Sequence, residues 1–98
     1  MANYRLSKLA DEDIQKIAAT TLTAWGFAQA LTYMETLHTT MTMLAANSSL
    51  EKLREELFIE AKSFPVGKHI VFYKPCADGI EIARVLHQRM DHLSLFEE

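Results

Sequence analysis

Residues 69–73 read His-Ile-Val-Phe-Tyr, with bulky side chains at both odd and even positions. Successive side chains of a strand point to opposite faces, so a run of this kind needs cover on both sides. It predicts a central strand and obliges the rest of the chain to build layers around it. Glu56 to Phe64 has a strand-like pattern, and Pro65-Val66-Gly67-Lys68 reads as a turn with proline early and glycine late. Lys74 to Gly79 reads as the next turn, and Ile80 to Leu86 as a final long strand. These pieces make an antiparallel three-strand meander.

The layer to cover it comes from the first half. Residues 3–9 alternate as a short strand candidate. Asp11 is a good N-cap, with Glu12 and Asp13 suited to a first helical turn. Ile14, Ile17, Ala18, Thr21, Leu22 and Trp25 recur at helical spacing, and Gly26 is a natural stop. A second helix from about Phe27 to Ala46 carries the apolar line Ala30, Met34, Leu37, Met41, Leu44. Many threonines lower the intrinsic helicity of both, so these helices depend on packing against the sheet. Residues 50–55 are ambiguous between loop and a helical turn. The fold class is α+β: an N-terminal strand and a two-helix hairpin packed on the meander, forming one domain over residues 1–98.

Composition narrows the function. Hydrophobic residues make up 49% and charged residues 23%, as in a soluble globular protein, and no apolar run is long enough to span a membrane. The N-terminus lacks the apolar stretch of a signal peptide, and the lone Cys76 permits no internal disulfide, which suits a reducing cytoplasm. Net charge is −3. A chain that mainly binds nucleic acid is usually basic, so no direct nucleic-acid binding is expected. Seven of the ten Lys/Arg (52, 54, 62, 68, 74, 84, 89) lie in residues 51–92, balanced there by seven acids (51, 55, 56, 60, 78, 81, 91).

The chemistry-bearing residues gather at the end of the last strand: Arg84, His87, Arg89, Met90 and Asp91. Strict alternation puts Ile80, Ile82, Arg84 and Leu86 on one face and Glu81, Ala83, Val85 and His87 on the other. Arg84 therefore shares its face with apolar residues, which calls for an ion-pair partner, a route to solvent or a recognition role. Imidazole titrates near neutral pH, so His87 is a candidate acid or base, with Arg84, Lys62 or Lys68 as anion stabilisers. The plainer reading of His87 is a hydrogen-bonded surface residue, and His38 reads as structural. No Ser-His-Asp or Cys-His arrangement, metal-ligand spacing or glycine-rich phosphate loop is legible, so no cofactor or metal is expected.

Four segments together resemble ParE-type toxins of the ParE/RelE toxin–antitoxin superfamily: YRLSKLADEDIQKI, WGFAQALTYMETL, SFPVGKHIVFY and DGIEIARVLHQRMD. The resemblance covers nearly the whole chain and implies the same strand, hairpin and meander. It implies a bacterial cytoplasmic toxin, neutralised by a cognate antitoxin, that inhibits DNA gyrase by binding rather than by chemistry. A higher-order toxin–antitoxin complex is compatible with it. RelE-type relatives instead cut mRNA on the ribosome with a strongly basic sheet. The acidic balance here, and the lack of a tyrosine after the final strand, favour the gyrase-type reading. The alternatives are a RelE-type endoribonuclease and a toxin that has lost its activity. Two departures from the commonest ParE pattern are Ser48-Ser49-Leu50-Glu51-Lys52 before the meander and Lys62 in place of an arginine. The expected target-facing residues are Arg84, His87, Arg89, Met90, Asp91, Lys62 and Lys68. The expected antitoxin-facing residues are Trp25, Leu31, Met34, Leu37 and Met41.

Overall fold

A computed structural model describes residues 3–46, 52–53 and 61–90. The elements run β1 (Asn3–Leu6), α1 (Lys8–Trp25), α2 (Phe27–Ala46), β2 (Lys52–Leu53), β3 (Lys62–Val66), β4 (His69–Cys76) and β5 (Gly79–His87). They form a mixed sheet in the order β1-β5-β4-β3-β2, with the helical hairpin on one face. The three-strand meander is β3-β4-β5, as its apolar patterning requires, and β1 adds to its outer edge parallel to β5.

The doubly apolar run is the centre of the sheet. Val71, Phe72 and Tyr73 are each at most 1% exposed. Val71 and Tyr73 pack with Ala10, Ile17, Leu37, Met41 and Leu44 of the helices, while Phe72 packs with Ala61, Ile70 and Leu86 in a second cluster. That is the two-sided cover that its sequence demands.

Several boundaries differ from the sequence expectation, each for a local reason. The N-cap of α1 is Ser7, not Asp11: its Oγ accepts from the Ala10 N–H at 3.0 Å. The same hydroxyl donates to the Ala83 carbonyl at 2.8 Å, so the cap also docks the helix on β5. Asp13 thus falls in the second turn, on the buried side with Ala10 and Ile17. Both predicted turns shrink to two residues, Gly67-Lys68 and Ala77-Asp78, with Pro65 and Pro75 inside strands. Proline is tolerated in a strand where no neighbour needs its missing N–H. Here β2 reaches only Lys62 and Ser63, and β3 reaches along β4 only to Tyr73, so each proline lies beyond its flanking strand.

Strict alternation along the last strand also breaks. Tyr73 pairs with Ile82 but Phe72 pairs with Arg84, leaving Ala83 as a bulge. Beyond it the parity reverses. Val85, rather than Leu86, joins Ile80 and Ile82 against the helices, and Leu86 joins Phe72 in the second cluster. The bulge has a further effect on register. An uninterrupted hairpin from the Cys76–Gly79 pair would set His69 opposite Leu86, whereas the extra residue sets it opposite His87.

Candidate functional site

Past Leu6 the parallel strand β1 turns into α1, and Arg84 and Val85 of β5 meet that helix at Asp13. Between α1, the start of α2 and this end of the sheet is an open cleft of about 820 Å³. Ile17, Trp25, Val85 and Met90 supply apolar lining, and Lys16, Lys68, His69 and His87 supply polar groups.

Arg84 reaches α1. Its Nε donates to Asp13 Oδ2 at 2.8 Å and its Nη2 to Oδ1 at 2.9 Å, a bidentate pair with side chains 16% and 9% exposed. The Val85 N–H also donates to Asp13 Oδ2, at 3.0 Å. The paired carboxylate raises the guanidinium's already high pKa. Of the readings open for Arg84, the structural ion pair is the one formed: its fork is spent on Asp13. Asp13 is a residue that sequence reasoning assigned only to a helical turn. The signal was present as an acid on the apolar stripe of α1 and an arginine among apolar strand residues.

His87 is not alone. Its ring lies 5.5 Å from that of His69, nearly perpendicular to it, and the ring of Tyr33 lies 5.6 Å from His69. The Tyr33 hydroxyl is 2.7 Å from His69 Nδ1 and 3.2 Å from the Val66 carbonyl, to which it donates. A phenol has one proton, so both contacts are satisfied together when His69 carries its proton on Nδ1 and donates it to Tyr33. The Nε2 of neutral His69 is then a bare acceptor. His87 has the opposite arrangement. Its Nδ1 accepts from the Arg89 N–H at 3.1 Å, which leaves the proton of the neutral ring on Nε2. The strand ends thus present an acceptor and a donor side by side. Burial, and secondarily the charge of His87, lower the pKa of His69 below the usual imidazole value. Burial raises that of Tyr33, against a smaller opposing effect from the Lys68 N–H.

This has a consequence for stability. With a lowered pKa in the fold, His69 binds fewer protons folded than unfolded across the interval between the two values. Its contribution is intact above about 6.5 and is lost as pH falls through that interval. Urea unfolding at successive pH values should show wild-type stability declining there, and His69→Gln declining less. Equal slopes for the two proteins would refute the assignment.

The cleft gathers Lys68, Arg84, His87 and Met90 from the expected target-facing set, and Trp25 from the expected antitoxin-facing set. Arg89 is exposed in the turn after β5, and Asp91 lies outside the described residues, as does most of the Ser48–Lys52 segment. Lys62 is half-buried in β3 opposite Tyr73, away from the cleft lining. Leu37 and Met41 are 2% and 1% exposed and belong to the central core, so they offer no surface to an antitoxin. Met34 is half-buried against the same core. Trp25 and Leu31 are open to solvent, and with Leu22 and Phe27 they form an exposed apolar elbow where the helices meet at Gly26. Phe27 was not singled out from the sequence, and Leu22, expected on the apolar stripe of α1, is exposed instead. His38 is tied to Tyr4, 2.6 Å from its hydroxyl, on the far side of the hairpin, which fits its structural reading.

The model of the ParE toxin of type II toxin–antitoxin systems matches residues 4–92. The chain is 33% identical over 91 residues to Toxin ParE1 of Mycobacterium tuberculosis, covering 92% of this chain and 93% of the relative. It is 35% identical over 91 residues to Toxin ParE1 of Caulobacter vibrioides, covering 93% and 94%. In fold it is similar to a chain of the chromosomal ParDE toxin–antitoxin system of P. aeruginosa, with a TM-score of 0.74, 13% identity and coverage of 89% and 96%. It is also similar to a chain of the RelBE2 toxin–antitoxin complex of M. tuberculosis, with a TM-score of 0.61, 17% identity and coverage of 89% and 98%.

Proposed function

Because this chain belongs to the ParE toxin family of type II toxin–antitoxin systems, we propose that it arrests growth by binding DNA gyrase and is held inactive by a cognate antitoxin in the cytoplasm. The observation that carries the binding reading is the exposed apolar elbow. Trp25 and Phe27 are 71% and 72% exposed on either side of Gly26, where large aromatics serve as interface anchors. Relatives in fold come from toxin–antitoxin complexes, which supports a protein partner of this kind. Among the described residues no helix is long and apolar enough to cross a membrane. The gyrase target rests on the resemblance to ParE-type toxins and on the acidic balance of the chain.

The expected result is loss of supercoiling when purified toxin at micromolar concentration is added to gyrase and relaxed plasmid, with activity restored by the antitoxin. Full supercoiling activity in that assay rules the target out. Expression without antitoxin should stop colony growth, and unimpeded growth would identify an inactive toxin.

One observation favours a second reading, a RelE-type endoribonuclease. His69 and His87 present an acceptor and a donor nitrogen beside Lys16 and Lys68, the groups that a 2′-hydroxyl attack on phosphate requires. Its test is mRNA cleavage in a translation extract, abolished by His87→Ala. Cleavage unchanged by that substitution removes the role of His87.

A further inference from the structure

The helical hairpin outruns the sheet beneath it. Residues 22–29, which carry the turn at Gly26, are all exposed, and none of them belongs to either core cluster. The space around Gly26 is open, with nothing within 4 Å of a Cβ built there. This tip nevertheless carries an apolar surface. Trp25 and Phe27 stand on it almost three-quarters exposed, and Leu22 and Leu31 beside them are about half exposed. Removing such side chains from water is favourable, so a patch of this kind calls for cover.

The charge pattern says what covers it. Residues 17–34 contain no Asp, Glu, Lys, Arg or His, although a stretch of that length would hold about four charged residues at the chain's average of 23%. Lys16 and Glu35 close the run on either side. Two-fold association sets the same patch of two copies face to face, so a charge within it would meet its own like across the axis. A charge-free patch faces itself without that cost, and it offers a strongly acidic or basic partner nothing to pair with. Lipid suits it less. Apolar tips hold a membrane surface best when cations flank them, and the flanking charges here are one lysine and one glutamate on a chain of net charge −3. The area is also sufficient. An aromatic side chain buries roughly 150–250 Å², so Trp25 and Phe27, with the two half-exposed leucines, offer on the order of 400 Å² per copy. Two copies remove about 800 Å² through these four side chains, and Thr23, Ala24, Ala28 and Gln29 bring the contact to the roughly 1,000 Å² that a specific interface needs.

We propose that the free chain pairs with a second copy of itself through this elbow, burying Leu22, Trp25, Phe27 and Leu31 of both. Pairing is a property of the chain alone and goes beyond its reading as a gyrase-directed toxin. A small interface of this kind gives a dimer of micromolar affinity. A protein partner that takes the elbow must first part the two copies, so pairing and capture exclude each other.

Trp25 is the chain's single tryptophan, so its fluorescence reports this contact directly. Sedimentation velocity of the purified toxin from about 1 to 100 µM should show a monomer–dimer transition, with Trp25 emission moving to the blue over the same range. Phe27→Glu and Phe27→Lys, at an exposed position, should each weaken association at least about tenfold and leave the circular dichroism spectrum unchanged. An equimolar mixture of the two variants should dimerise again, because patch-to-patch pairing sets the glutamate of one copy near the lysine of the other. A single monomeric species at 100 µM overturns the proposal. So does a dimer that Phe27→Glu leaves intact, a dimer without the emission shift, or a variant mixture that stays monomeric. A blue shift caused by phosphatidylcholine vesicles on a chain that stays monomeric gives the elbow to lipid and overturns the assigned occupant. A monomer that still inhibits supercoiling overturns the pairing and leaves the toxin reading standing.

Discussion

Asp13→Ala is expected to lower the unfolding free energy by about 3 kcal/mol, near the lower end of the 3–5 kcal/mol typical of breaking a buried ion pair by removing one partner. The substitution strands the Arg84 guanidinium against an apolar strand and removes the acceptor of the Val85 N–H. The lower end applies because Arg84 retains 16% side-chain exposure, through which water partly compensates the lost charge. Small domains are stable by only about 5–15 kcal/mol, so this loss is a large share. With a urea m-value of about 1.5 kcal/mol/M, the midpoint should fall by roughly 2 M. Arg84→Ala should cost a comparable amount. The double variant Asp13→Leu/Arg84→Met should recover most of it, since apolar residues of similar volume commonly replace a buried pair without loss. A loss below about 1 kcal/mol for Asp13→Ala would mean that water screens the pair as it does a surface salt bridge. The experiment also separates two roles of Arg84. If the double variant folds yet no longer binds target, the guanidinium acts in recognition as well as in support.

The second large effect is expected at Gly79, which begins β5 at φ 146°. A Cβ built there would lie 1.9 Å from the Asn3 carbonyl oxygen and 2.7 Å from its nitrogen, both backbone atoms of β1. The obstruction is therefore a strand and not a side chain that could swing aside. Asn3 and Gly79 are register partners, and the Asn3 N–H donates to the Asp78 carbonyl at 2.7 Å. Gly79→Ala should cost about 3 kcal/mol, adding backbone strain of roughly 1–3 kcal/mol to the disturbed pairing of β1. Hydrogen exchange gives the more specific readout. Amides in the β1–β5 pairing should lose protection well before those of β3 and β4. Uniform loss across the sheet would show that β1 is not a separable edge.

What the sequence disclosed and what it hid divide along physical lines. Period-two and period-3.6 patterns report burial, so the helices, the central strand and the layer order were legible from residues such as Val71-Phe72-Tyr73 and the Ala30–Leu44 stripe. The same pattern could not tell core from interface within that stripe. Leu37 and Met41 differ from Leu31 by the direction in which the helix meets the sheet, which no local spacing encodes. The Ala83 bulge was invisible because an extra residue leaves the strand apolar on both parities. With it went the pairing of His69 and His87, so the second imidazole could not be anticipated beside the first. Ser7 and Asp11 are equally good caps in isolation, and the choice was made by the distant Ala83 carbonyl. The family frame was carried by segments spread along most of the chain, whereas the cleft depends on contacts between those segments.

The parallel pairing of β1 with β5 joins residues near the two ends of the described chain, with Ser7 and Ala83 separated by 76 positions. Translation therefore delivers β1 well before its partner β5. Contacts of such long sequence separation also form slowly, because the intervening chain must be closed before they stabilise anything. Arg84 to His87, which line the cleft and hold Asp13, arrive with the same late strand. A polypeptide that terminates before β5 keeps both helices yet lacks the partner of its first strand, the ion pair and one wall of the cleft. For a toxin that acts as proposed above, incomplete synthesis and loss of potency are thus the same event.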